Sequence, residues 1–217
     1  GEYPGDPGPP GGDASGRVSV SPSAGGGGAA FGLAHAPLAC VARASTLLLA
    51  RKAPTLAFEQ ACTLPVTWST VHVSLELAWL RGRCSMVVQA AAGGVGLKAV
   101  EYAQWLRARV VGTAGRPHKH AHLRLAGVEG LCSSRDGAAF ACGAAAGQAG
   151  RRLRLVLNSL SLDFIAVSAA LLGEGGCFEE IGKRGVWSEA RMGAASSGTY
   201  DAVALDSEMA AAPNWMR

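Results

Sequence analysis

The stretch Met86-Val87-Val88-Gln89-Ala90-Ala91-Ala92-Gly93-Gly94-Val95-Gly96 is an apolar strand that enters a small-residue turn and then a helix. Ala91-x-Gly93-x-x-Gly96 stands where dinucleotide-binding loops carry GxGxxG, and the strand before and helix after strengthen the match. In that chemistry Gly93 lets the backbone approach a pyrophosphate, and Gly96 lets the helix pack onto the strand. The helix opened by Gly94 and Val95 offers free N–H groups and about half a positive charge to a phosphate. A tight strand-to-helix turn holding no ligand is the competing reading. Cofactor choice is made at the end of the second strand, where NAD enzymes place a carboxylate and NADP enzymes neutral or basic residues. Here Val110-Val111-Gly112-Thr113-Ala114-Gly115-Arg116-Pro117-His118-Lys119 holds no carboxylate. Arg116 and Lys119 suit a 2′-phosphate and so NADPH. They also suit plain solvation of the next helix start. Ser133 and Arg135, closing the third strand, add a phosphate or adenine contact. His118, His120 and His122 invite a metal, but only His118 and His122 share a helix face and no third ligand is apparent.

These residues need a parallel sheet to hold them. Strand-like runs at 85–90, 109–113, 130–133, 153–158 and 176–181 alternate with helical segments at 94–107, 117–126, 137–147 and 162–172, the pattern of βαβ units. Five strands with four crossovers make most of a doubly wound sheet. Upstream, 39–50 reads as strand material and 70–80 as a helix. Residues 1–30 are so rich in Gly, Pro, Ser and Ala that, taken alone, they read as a loop or disordered tail. The expected division is 1–64 as a partial β-rich subdomain, 65–185 as the nucleotide-binding domain and 186–217 as a return segment.

Bulk properties bound the remaining choices. The chain has 217 residues, 49% apolar and 17% charged, enough for a buried core. Its net charge of +4 is spread in ones and twos, which argues against nucleic acid as a partner. No apolar run approaches the length of a membrane span. The six cysteines form no CxxC pair and read as reduced thiols of a cytoplasmic protein. Gly1 is followed by neither signal peptide nor natural start, so the chain reads as a piece of something longer.

Six motifs in order over nearly the whole chain carry a resemblance. They are residues 3–13 (Tyr3-Pro4-Gly5-Asp6 onward to Asp13), Thr63-Leu64-Pro65-Val66, residues 90–96, Ser133-Ser134-Arg135-Asp136, Leu157-Asn158-Ser159-Leu160 and Glu180-Ile181-Gly182-Lys183-Arg184. Together they resemble the enoyl reductase domains of polyketide synthases, within the medium-chain dehydrogenase/reductase superfamily. The resemblance implies an α/β fold: a Rossmann-type doubly wound sheet with an incomplete β-rich, GroES-like substrate subdomain built from the Gly/Pro-rich beginning. It implies NADPH-dependent, metal-free reduction of an enoyl thioester on an acyl carrier protein, among neighbouring synthase domains that are commonly dimeric. Asn158, Ser159, Leu160, Ile181 and Gly182 would line the nicotinamide side, and Lys183 would donate the proton or stabilise the enolate, with Asp206 as its acidic partner. A surface role for Lys183 is the alternative. Residues 14–30 are shorter than the family's usual strand pair, so weak NADPH binding and slow turnover by this chain alone are expected. A free-standing quinone or enone reductase and a non-catalytic structural domain are the other two readings.

Overall fold

The computed structural model describes residues 11–19, 27–35, 37–80, 84–147 and 153–205; the motif at 3–10 and Asp206 lie outside them. The chain divides into two units, Gly1–Ser69 with Ala204–Arg217, and Thr70–Val203.

In the first unit, Asp13–Arg17 (β1), Ala29–Leu33 (β2) and Leu49–Arg51 (β3) form an antiparallel sheet in the order β1-β2-β3. Residues 13–17 and 29–30 of the glycine-rich beginning thus belong to strands. The expectation of strand over 39–50 is corrected. Ser45 accepts a hydrogen bond from the Leu47 N–H, turning Thr46–Leu48 into a 3₁₀ helix and leaving only β3 extended. A short helix, Phe58–Ala61 (α1), leads to Pro65–Leu77 (α2). The second helix begins five residues before its sequence periodicity suggests. Proline tolerates the first helical position because its missing N–H would find no partner there. The next N–H, of Val66, donates to Asp13 Oδ1 at 2.6 Å, which joins the first two family-like motifs in space.

In the second unit the strands are Ser85–Val88 (β4), Arg109–Ala114 (β5), Gly130–Ser133 (β6), Leu153–Asn158 (β7), Leu172–Glu180 (β8) and Thr199–Ala202 (β9). Between them run Gly94–Trp105 (α3), Pro117–Leu125 (α4), Gly137–Gly147 (α5), Asp163–Leu171 (α6) and Glu189–Ala195 (α7). The order β6-β5-β4-β7-β8-β9 with every pair parallel is that of a Rossmann sheet. Strand positions alternate between two buried clusters: Met86 and Val88 join Val71, Leu75, Ala99 and Leu155, whereas Val87 joins Phe140, Val156, Ile165 and Phe178. Helices therefore cover both faces, which is why these strands read as unbroken apolar runs. Residues 199–202, read as a return segment, form the sixth strand, and β8 starts four residues early across an irregularity between Leu153 and Leu155.

Candidate functional site

Chain reversal in strand order falls between β4 and β7, and ligands of open α/β sheets sit outside the carboxyl ends of the strands at such a point. The turn there is shaped from below. Ala90 adopts a left-handed φ of 49°, held by its N–H donating to Thr113 Oγ1 at 2.9 Å. The Thr113 hydroxyl donates in turn to Gln89 Oε1 at 2.8 Å, and Gln89 Nε2 donates to Ser168 Oγ at 2.9 Å. Thr113 is fully buried, so its side chain shapes the turn from within. A Cβ at position 96 would lie 2.6 Å from both Ala90 O and Ala91 Cα, so only glycine lets α3 start this close to the strand. Gly93, the residue capping α3, and Gly94 are exposed, and no acidic side chain occupies the helix's first turn.

The ends of the next two strands bring basic residues beside one another. A Cβ on Gly115 would sit 2.6 Å from Arg135 Nε, so the Arg135 side chain lies across the turn that ends in Arg116. Arg116, Lys119 and Arg135 are exposed, and among the described residues none of them forms an ion pair. Ser133 Oγ accepts from the N–H groups of Arg135 and Asp136, and Asp136 Oδ1 accepts from Ala139 N–H at the head of α5. The Asp136 carboxylate is thereby engaged. His120 Nε2 bonds the Ala114 carbonyl at 2.8 Å, and among the described residues no group of three or more His, Cys, Asp or Glu could hold a metal ion.

A second cluster closes β7 and β8. Asn158 is fully buried; its Nδ2 donates to Leu160 O at 2.7 Å and to Glu180 Oε2 at 2.6 Å. Glu180 Oε1 accepts from Gly182 N–H at 2.7 Å, and Ile181 N–H donates to Asn158 O. Burial pushes the Glu180 carboxyl up to about 7, opposed by the Asn158 and Gly182 donors. Ser159 Oγ donates to Gln89 O at 3.4 Å, linking this cluster to the glycine turn. Lys183 is exposed in the following loop. Gln89, Ser168 and Glu180 are given no role by the sequence reading, although Gln89 and Glu180 stand within its quoted motifs. A signal exists for the last: two carboxylates, Glu179 and Glu180, end an otherwise apolar strand segment.

No protein-family model matches the chain. It is 42% identical over 165 residues to the spectinabilin polyketide synthase system protein NorB of Streptomyces orinoci, covering 75% of this chain and 7% of that protein. It is 40% identical over 156 residues to erythronolide synthase EryA2 of Saccharopolyspora erythraea, covering 70% of this chain and 4% of that protein. The chain thus spans only a small part of the length of these synthases. Among solved structures, the CurK enoyl reductase matches with TM-score 0.84 at 30% identity, over 92% of this chain and 61% of that one. The nucleotide-binding subdomain of the enoylreductase domain of PpsC from Mycobacterium tuberculosis matches with TM-score 0.63 at 33% identity, over 68% of this chain and 84% of that one. A Rossmann sheet, a small antiparallel sheet and a glycine turn at the strand-order reversal define a medium-chain dehydrogenase/reductase. Within that superfamily the chain belongs to the enoyl reductase domains of polyketide synthases.

Proposed function

We propose that the chain binds NADPH along the carboxyl ends of β4 to β8 and serves the reduction of an α,β-enoyl thioester carried on an acyl carrier protein. The observation that carries this reading is the pairing of the exposed Gly93-Gly94 turn with Arg116 and Arg135, which lie over adjacent strand ends without ion-pair partners among the described residues. These two cations and Lys119 fit a phosphomonoester, and a glycine turn without side chains fits a pyrophosphate. When bound, NADPH supplies the hydride for the β-carbon. The turn residues Ala91, Gly93, Gly94, Val95 and Gly96 bind the pyrophosphate, and Arg116, Lys119 and Arg135 bind the 2′-phosphate. Asn158, Ser159, Leu160, Ile181 and Gly182 orient the reactive ring. Lys183 Nζ holds the proton for the α-carbon or stabilises negative charge on the thioester oxygen, with Asp206 as its proposed acidic partner.

Fluorescence titration with NADPH and NADH tests the cofactor half of this reading. The parent chain prefers NADPH, and Arg116→Ala with Lys119→Ala abolishes the preference, each removed cation weakening NADPH binding by roughly 1.5–3 kcal/mol. Equal affinity for the two nucleotides in the parent chain would reject it. Crotonyl thioester, presented on a carrier protein or on a small thiol, then tests the substrate half.

A further inference from the structure

Glu180 and its contacts carry an inference that rests on the cofactor reading above but concerns a residue outside it. Glu180 is the last residue of β8, 2% exposed, and both of its carboxylate oxygens are met by neutral amide donors. Burying a carboxyl group is costly unless donors receive it, and here two donors do. Asn158 is the last residue of β7, and Gly182 lies two residues beyond the end of β8. Both amide hydrogens of Asn158 are engaged, one on Glu180 and one on Leu160 O, so the side chain is fixed and the turn closes on itself. At Gly182 the carboxylate occupies the place a side chain would take, since a Cβ there would lie 2.6 Å from Glu180 Oε1. The backbone repeats the link through Ile181 N–H to Asn158 O.

We propose that Glu180 is a positioning residue: its carboxylate ties the turn Asn158–Leu160 to the turn Ile181–Lys183, so that the two segments flanking the reactive ring are held in one fixed relation. Glu180, 2% exposed, acts through Asn158 and Gly182. It sets where Gly182 and, one residue on, Lys183 leave the sheet. Glutamine cannot replace it, because a side-chain amide presents only one acceptor to two donors and sets its own N–H groups against one of them.

The experiment compares NADPH with 2′,5′-ADP, which carries the adenine and 2′-phosphate half alone, on the full chain and on Glu180→Gln. The expected result is NADPH affinity lowered on the order of tenfold with 2′,5′-ADP affinity unchanged, and faster amide hydrogen exchange at Gly182. Glu179→Gln, one residue back on the opposite face of β8, serves as control and keeps both affinities. Should Glu180→Gln fail to fold, the parent chain carries the test: the Gly182 N–H exchanges slowly if the Glu180 carboxylate holds it, and exchange as fast as that of an exposed loop amide overturns the tie. Parallel weakening of both ligands, or no change in either, overturns the tie. Failure of the parent chain to bind 2′,5′-ADP overturns the cofactor reading instead, and Gly182 exchange still reads the tie.

Discussion

Glu179 meets the opposite circumstance to its neighbour. It is fully buried, and neither carboxyl oxygen finds a hydrogen-bond partner among the described residues. Burial, with a smaller contribution from the Asp201 charge opposite it on β9, pushes its carboxyl up to about 8. The folded protein therefore keeps a proton that the unfolded chain releases near the ordinary value of 4.5. Stability falls as pH rises from the unfolded value through the folded one, and levels off beyond it. Urea titrations at pH 5 and pH 8 should show a decrease on the order of a few kcal/mol, and Glu179→Gln should remove most of it. Glu180, also raised, leaves a residual slope of the same sign. A Glu179→Gln chain with the full parental slope would show that Glu179 does not hold this proton.

At the scale of elements, the start of α3 is the tightest junction of the site. Gly96→Ala would drive a methyl group into the backbone of Ala90 and Ala91, which cannot rotate away as a side chain can. The expected cost is about 1–3 kcal/mol in thermal or urea unfolding, together with loss of nucleotide binding as the turn shifts. A Gly96→Ala chain that melts and binds like the parent would contradict this packing. Strands β4 to β8 are legible in the sequence because strands buried on both faces leave continuous apolar runs separated by helix-length segments. Strand β9 is hidden, because Thr199-Tyr200-Asp201-Ala202 is a half-exposed edge strand with neither run nor alternation. Residues 39–50 mislead because a local cap at Ser45 decides the outcome there. The glycine turn is legible from residues that touch one another locally. The Gln89 and Glu180 networks are not, since their partners lie 24, 79 and 22 residues away.

The whole molecule divides its stability unevenly. Among the described residues, both buried apolar clusters lie within Thr70–Val203. A chain of residues 65–203, which keeps α2 complete, should fold alone with a cooperative melt and bind 2′,5′-ADP as the full chain does. A non-cooperative melt would show that the clusters need the first unit. Among the described residues no helix is long and apolar enough to cross a membrane.

The hydrogen bond from Val66 N–H to Asp13 spans 53 positions of sequence. Closing a loop of that length costs about 3–4 kcal/mol of chain entropy, more than one such bond returns. The head of α2 therefore cannot recruit β1 on its own during folding. The expected order is that this bond forms after β1 has paired with β2. Burial of Asp13 raises its proton affinity and the Val66 donor lowers it less, so the folded chain holds this proton more tightly than the unfolded one and the site loses stability as pH rises. Pulsed hydrogen exchange during refolding should then show the Val66 N–H protected later than the amides in the middle of α2, and simultaneous protection would contradict this order.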